Sequence, residues 1–294
     1  MSLTCKLFRD LRRSYALEGR ACTASVNDLS ALSNMSSLQS LNFSKCLTVT
    51  DLTPLSSLSS LKTLDCSYCV KITDLSPLSN LSSLKTLDFS FCIHVIDLSP
   101  LSSLSSLQTL GFTSCIGIAD ISPLSSLSSL LGLHIEGCSS ITDYSSLSSL
   151  SSLHTLVLGV PENRLDLPHL EPIPYRSNLA RILNWPELID FSPFSSLEYS
   201  RQLLGGGCSR FDDLSLLSSL SSLQTLDFSG CQCICELSPL SNNSSLRNLY
   251  FDRCYSITGD LTPLSSLLSL QKLFFVAVII RGRLDSIIKP FMSS

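Results

Sequence analysis

The sequence is poor in charged residues, and this scarcity narrows the class of protein that it encodes. Asp, Glu, Lys and Arg make up only 15% of the 294 residues, against about a quarter in ordinary soluble domains. The net charge of −4 is too small to favour nucleic acid or an anionic membrane surface. Hydrophobic residues make up 44%, whereas disordered chains combine low hydrophobicity with high charge. We therefore expect a folded chain with an apolar core and no nucleic-acid partner.

The sequence also lacks a long apolar run. A membrane-spanning helix needs about 20 consecutive apolar residues, and the longest run here is Leu273 to Ile280. The N-terminal stretch MSLTCKLFRDLRRSYALEG has scattered Arg and Lys and no apolar segment of the signal-peptide kind. We therefore expect no membrane span and an intracellular location, in the cytoplasm rather than the nucleus.

No arrangement typical of catalysis or cofactor binding is found. The histidines recur at no fixed position of the sequence pattern (His94, His134, His154 and His169). The sequence has no Gly-x-Ser-x-Gly turn to present a nucleophilic serine. The Gly205-Gly206-Gly207 stretch lacks the Lys-Ser/Thr pair that follows a phosphate-binding loop. We predict no enzymatic activity and no cofactor.

What the sequence does contain is a repeat of 23 residues, the type of signal that indicates a stacked repeat architecture. Cysteine recurs at this spacing in two series: Cys46, Cys69, Cys92, Cys115 and Cys138, and then Cys208, Cys231 and Cys254. An acidic residue marks every unit in parallel: Asp28, Asp51, Asp74, Asp97, Asp120, Asp143, Asp166, Asp190, Asp213, Glu236 and Asp260. We predict an N-terminal cap over residues 1–27, with a candidate helix, an array of about 11 units over 28–282, and a partial repeat or tail over 283–294.

Each unit combines a strand pattern with a helical-turn pattern. In the unit that begins at Asp97, Leu107, Leu110 and Phe112 are separated by polar residues in the manner of a short, half-buried strand. Before them, leucine recurs at every third residue, which suits a 3₁₀ turn because side chains at i and i+3 then lie in line. Pro100 fits the first position of that turn, and Ser99 or Asp97 can cap it. One unit cannot bury its leucines alone, whereas stacked units can.

The pattern L-x-x-L-x-L-x-x-C followed by I-T-D resembles that of leucine-rich-repeat proteins. The cysteine resembles the cysteine-containing class, which includes F-box-linked ubiquitin-ligase adaptors, and Ile72 to Leu78 resembles the repeats of internalins and phosphatase regulatory subunits. The combination of SSLKTLDFSFC with DLSPLSSLSSL is most similar to trypanosome leucine-rich-repeat proteins, including expression-site-associated proteins described as adenylate cyclase regulators. The resemblance implies an α/β solenoid of horseshoe shape. Its parallel β-sheet would line the concave face, with short 3₁₀ or irregular helical segments on the convex face.

Residues 161–207 depart from the regular pattern. Asp190-Phe-Ser-Pro-Phe opens like the other units, and Asp190 lies as far before Cys208 as Asp97 lies before Cys115. We therefore interpret this stretch as two degenerate units in register with the rest. Its prolines and Trp185 would equally suit a loop that protrudes from the stack.

The repeated cysteines are expected to be structural. A thiol at a fixed position of each unit fits a ladder of small buried side chains and carries no information about a metal. Cys66 and Cys69 have the spacing of half a zinc site, but Cys66 falls in a slot that phenylalanine fills in neighbouring units. The closely spaced Cys231, Cys233 and Cys235 leave a metal or redox site open as the less favoured alternative. We predict no bound metal.

The outward strand positions of successive units form three columns, which make up the predicted concave face. Most of their residues are Ser, Thr and Asp, which also suit strand surfaces for purely structural reasons. Aromatic side chains on such a face are candidate anchors for a partner. The candidate binding residues are Asp65, Asp88, His134, Glu136, Asp227, Tyr250, Asp252 and Phe274.

From this face we predict a monomeric protein-interaction scaffold or regulatory binding protein whose partner is another protein. Two alternatives remain open. The first is a substrate-recognition subunit of a ubiquitin ligase, for which residues 1–27 are too few for an F-box and too poor in cysteine for a RING module. The second is an internalin-like surface adhesin, which would require an unconventional route of export.

Overall fold

A computed structural model describes residues 28–158, 202–204, 214–231, 234–251, 254–257 and 261–274. The described residues fall into two compact units, 28–146 and 147–274, and each of them contains several of the 23-residue repeats. From here on, the first unit and the second unit are these two parts of the chain. The predicted cap over 1–27, the tail over 283–294 and most of the degenerate stretch lie outside the described residues. Among the helices that are described, none is long and apolar enough to cross a membrane.

The first unit consists of repeated strands and 3₁₀ helices. Its strands are β1 Ser40–Asn42, β2 Thr63–Asp65, β3 Thr86–Asp88, β4 Thr109–Gly111 and β5 Gly132–His134. Each strand pairs in parallel with the next, at equivalent positions of successive repeats. The 3₁₀ helices are Ser30–Leu32, Thr53–Leu55, Ser76–Leu78, Ser99–Ser103 and Ser122–Ser126. A further 3₁₀ helix, Ser145–Ser149, spans the boundary between the two units.

The second unit repeats this construction. Its strands are β6 Thr155–Val157, β7 Gln202–Leu204, β8 Thr225–Asp227, β9 Asn248–Tyr250 and β10 Lys272–Phe274, which pair in parallel in this order. Its other 3₁₀ helices are Ser215–Ser219, Ser238–Asn242 and Thr262–Ser266. The predicted solenoid, with a parallel sheet and short 3₁₀ segments between its strands, is confirmed for the described residues of each unit.

Strand β7 is the described part of the degenerate stretch. Thr155 of β6 pairs with Gln202 of β7, and Gln202 pairs in turn with Thr225 of β8. Gln202 lies as far after Asp190 as Thr109 of β4 lies after Asp97, so the predicted unit that opens at Asp190 supplies a strand at the expected position. The predicted unit that opens at Asp166 lies outside the described residues.

The leucines of each repeat build the core. In the repeat that begins at Asp74, the leucines at positions 75, 78, 81, 84 and 87 are all buried. The acidic marker caps the 3₁₀ helix, since Oδ1 of Asp97 accepts a hydrogen bond of 2.8 Å from the N–H of Ser99. The equivalent aspartates of other repeats accept the same hydrogen bond at 2.7–2.8 Å: Asp28, Asp51, Asp74, Asp120 and Asp143. These hydrogen bonds lower the pKa of Asp97, because they stabilise the ionised carboxylate.

The chain reverses direction immediately before the repeated cysteine. The residue at this position has positive φ in successive repeats, including Lys45 (65°), Tyr68 (62°) and Phe91 (63°). Glycine takes the same position at Gly137 (72°) and Gly230 (81°). A side chain in this left-handed conformation costs about 1 kcal/mol or more, so the fold imposes the turn whatever residue occupies it. The turn returns the next residue, a cysteine, to the core.

Candidate protein-binding face

The candidate surface is formed by outward side chains of the strands and of the residues that follow them, which we call the sheet face of each unit. In the first unit, its central column runs Asn42, Asp65, Asp88, Gly111 and His134, which are register partners in neighbouring strands. All of these except Gly111 are half-buried. The structure therefore brings the predicted Asp65, Asp88 and His134 into one row.

The two aspartates of this row also organise the turn that follows each strand. Oδ1 of Asp65 accepts hydrogen bonds from the backbone N–H and hydroxyl of Ser67, at 3.0 and 2.7 Å. The other oxygen, Oδ2, accepts from Nδ2 of Asn42 at 2.7 Å. Asp88 accepts from the N–H of Ser90 at 2.8 Å. Much of their hydrogen-bonding capacity is therefore used within the fold.

Asp88 lies in a partly desolvated environment. Burial raises the pKa of its carboxyl, and the hydrogen bonds from Ser90 offset part of that effect. The absence of a side chain at Gly111 makes room for it, because a Cβ there would lie 3.3 Å from both Cγ and Oδ1 of Asp88. The Asp88 side chain thus packs over the neighbouring glycine rather than extending into solvent.

Glu136 does not lie on the exposed surface, in contrast to the prediction. It is 1% exposed, and its Oε2 accepts a hydrogen bond of 2.6 Å from the hydroxyl of Thr113. The N–H of Thr113 in turn donates to Oγ of Ser90 at 3.1 Å. The third predicted column sits where the chain turns inward after the strand, and its side chains therefore form a buried polar network.

In the second unit the strands themselves carry aromatic side chains, whereas the stacked Tyr68 and Phe91 of the first unit lie in the turns after β2 and β3. The rings of Tyr250 and Phe274 are stacked, with centroids 5.3 Å apart and planes inclined by 11°. Tyr250 is only 7% exposed, contrary to the prediction, because Phe274 packs against it; Phe274 itself is 41% exposed. Asp227 is also buried, and its Oδ1 accepts from the N–H of Ser229 at 2.8 Å. The predicted Asp252 lies outside the described residues.

Two exposed cations at the start of β9 and β10 were not among the predicted binding residues. Lys272 is the first residue of β10, two positions before Phe274, and Arg247 precedes β9; both are exposed. The alternation of side chains along a strand is the sequence signal that places Lys272 beside Phe274. The exposed part of this face therefore combines an aromatic ring with positive charge.

The repeated cysteines are buried thiols that bind backbone oxygen. Their Sγ atoms donate to a carbonyl 26 residues earlier, at 3.1–3.4 Å, in Cys69, Cys92, Cys115, Cys138 and Cys254. Cys46, Cys66 and Cys231 are buried as well, and Cys208 lies outside the described residues.

Burial also makes these thiols poor nucleophiles and poor metal ligands, because both roles require the thiolate. It raises the pKa of Cys138 and of Cys254 to about 12, and it raises the pKa of Cys69 and Cys115 further. In the part of the chain that the structure describes, no three His, Cys, Asp or Glu side chains are grouped to hold a metal ion. Cys235 is exposed, and Cys233 is not described.

Comparison with known families agrees with this geometry. The model for leucine-rich repeats in two copies matches residues 36–80 and 59–103, and the model for the BspA type leucine-rich repeat region matches residues 204–277. Residues 36–103 and 204–277 are therefore built of leucine-rich repeats. None of the curated proteins matches this sequence.

Solved structures show the same fold. An internalin (inlF) from Listeria monocytogenes str. 4b F2365 superposes with a TM-score of 0.67 and 25% identity over 87% of this chain and 66% of its own length. An internalin C2 from the same organism gives 0.53 and 21%, over 76% of this chain and 92% of its own. TLR13, in a complex with ssRNA13, gives 0.57 and 18% over 84% of this chain and 38% of its own. The last two similarities show the fold alone.

Proposed function

We propose that the protein is a non-catalytic scaffold that binds a protein partner through the sheet face of its second unit. The observation that carries this proposal is the stacked pair of Tyr250 and Phe274, in which Phe274 is 41% exposed. Partly exposed aromatic side chains supply much of the binding energy in protein interfaces, since they bury a large area at little entropic cost. The repeat architecture supports the proposal, because stacked repeats provide an extended surface for recognition.

The proposal also covers where the interaction takes place, inside the cell or at its surface. The resemblance to trypanosome leucine-rich-repeat proteins favours a regulatory role, in which a monomer inside the cell binds an enzyme or its regulator. The likeness to a Listeria internalin favours a second candidate, recognition at a cell surface. Treatment of intact cells with protease distinguishes the two, because only a surface protein would be cleaved.

Phe274→Ala tests the binding face, and Leu268→Ala is its matched control. Leu268 is also an exposed apolar residue, 92% exposed, but it belongs to the turn after the 3₁₀ helix Thr262–Ser266 rather than to a strand. Affinity capture from the source organism, quantified by mass spectrometry, should lose its specific partners with Phe274→Ala and retain them with Leu268→Ala. Unchanged partners in both variants would contradict the proposed face.

A further inference from the structure

We propose that the partner segment bound by the second unit is acidic and carries an aromatic or large aliphatic side chain next to its carboxylates. This inference rests on the proposed function, because it concerns the same sheet face. It goes beyond that function by assigning the chemistry of the bound segment from the groups around Phe274.

The position of Lys272 relative to Phe274 supplies the first step. Side chains alternate along a strand, so Lys272 and Phe274 point to the same side of β10. The register places Lys272 opposite Asn248 and Phe274 opposite Tyr250. One side of the Phe274 ring is stacked on Tyr250, and the exposed Lys272 lies two residues away on the same side of the strand. An apolar side chain that packs on this ring would bring its neighbours close to that charge.

Arg247 adds a second cation at the same end of the adjacent strand. Its backbone carbonyl accepts hydrogen bonds from the N–H groups of Gln271 and Lys272, at 2.7 and 2.9 Å. Neighbouring strands are about 4.8 Å apart, so the backbones of the two basic residues lie close together at one end of β9 and β10. Asp227, the acidic residue described in this column, is buried and accepts from the N–H of Ser229. Among the described residues of this part of the face, the charged side chains that are exposed are therefore both basic.

The energetics assign different roles to the ring and the cations. Exposed ion pairs contribute roughly 0.2–1 kcal/mol each, so most of the affinity should come from apolar contact with Phe274. Complementary charge mainly accelerates association and rejects partners of the wrong sign. Strand β3 of the first unit lacks this combination, because Lys85 stands at the position of Arg247 but the strand carries Asp88 and no aromatic residue. The stacked rings of Tyr68 and Phe91, also in the first unit, belong to the turns after β2 and β3.

A random 12-residue peptide display library tests the proposal without knowledge of the partner. Selection on the full chain, with removal of peptides that also bind the Phe274→Ala variant, should enrich Asp and Glu beside an aromatic or large aliphatic residue. Enrichment of Lys and Arg, enrichment of uncharged peptides, or no enrichment at all would overturn the proposal.

The best selected peptide then allows a quantitative test by fluorescence anisotropy. The double variant Arg247→Glu plus Lys272→Glu should weaken binding about tenfold at low salt, and the difference should shrink at high salt because screening acts on exposed charges. Lys85→Glu makes the matched change in the first unit and should leave binding unchanged; circular dichroism verifies that all variants fold. Equal affinity of the double variant and the wild type would overturn the proposal.

Failure of this inference can be distinguished from failure of the proposed function. Loss of captured partners with Phe274→Ala, but not with the double charge reversal, would retain the binding face and reject the acidic partner. Retention of all partners with Phe274→Ala would reject both.

Discussion

Asn243→Leu should stabilise the protein, although it removes two hydrogen bonds. Asn243 is fully buried and occupies the position that leucine holds in neighbouring repeats, for example Leu220 and Leu267. Its Nδ2 donates to the carbonyls of Leu217 and Leu220, at 2.8 and 3.1 Å. Its Oδ1 is buried without a hydrogen-bond partner. The asparagine is therefore only half satisfied in an apolar environment.

The expected magnitude follows from three contributions. Burial of a leucine side chain contributes about 1.5–3 kcal/mol, and removal of an unpaired buried acceptor contributes about 1–3 kcal/mol. The two lost hydrogen bonds cost about 0.5–1.5 kcal/mol each. Both carbonyls keep a backbone donor, since Leu217 O accepts from the N–H of Leu220 and Leu220 O accepts from that of Leu223, each at 3.0 Å. We expect a net gain of about 1–2 kcal/mol in the free energy of unfolding.

Urea denaturation followed by far-UV circular dichroism measures this change. The reciprocal substitution, Leu220→Asn, places the same side chain in the preceding repeat and should destabilise the protein by about 2–4 kcal/mol. Asn243→Ala removes the amide without filling the space and should therefore be less stable than Asn243→Leu. A lower midpoint for Asn243→Leu than for the wild type would refute the reasoning.

Three further predictions concern the construction of the repeats. Gly117→Ala should lower the free energy of unfolding by about 1–3 kcal/mol, because its Cβ would lie 2.9 Å from a backbone carbonyl oxygen of the preceding repeat. Gly132→Ala is the control: its Cβ would lie 3.6 Å from the nearest atom, so the same denaturation assay should show no change in stability. Alkylation followed by mass spectrometry should modify Cys235 rapidly, and Cys138 only as the fold opens; equal rates would contradict the buried ladder. Capping lowers the pKa of Asp97 in the folded state, so its contribution to stability is complete above its unfolded pKa and is lost as the pH falls towards the folded one. Asp97→Asn should therefore flatten the acid limb of a stability–pH profile, and an unaltered limb would argue against the cap.

The periodicity of the sequence was sufficient to predict the solenoid, its strands and its 3₁₀ turns. Alternation across Leu107, Leu110 and Phe112 placed β4 correctly at Thr109–Gly111, because a strand with one buried face requires that pattern. The sequence left Ser99 and Asp97 as alternative caps, and the structure shows that Asp97 accepts the hydrogen bond. These features depend on local chemistry that each repeat carries in full.

The exposure of the candidate binding residues was harder to predict. The alternation pattern assigns Glu136 and Tyr250 to the outer side of the sheet, and both are nevertheless buried. Glu136 is covered because the chain turns inward after β5, and Tyr250 because the ring of Phe274, one strand away, stacks on it. Pairing of β6 with β7 is likewise a property of the assembled sheet. Such effects depend on contacts between repeats, which a one-dimensional pattern does not contain.

Hydroxyl-radical footprinting of the protein, alone and with its captured partner, tests the proposed binding face most directly. The exposed rings and aliphatic side chains of the second unit serve as internal reporters, since Phe274 lies on the sheet face and Leu268 lies outside it. Binding through the sheet face predicts that oxidation of Phe274 falls when the partner is present, while oxidation of Leu268 is unchanged. Protection of Leu268 with full oxidation of Phe274 would contradict the account.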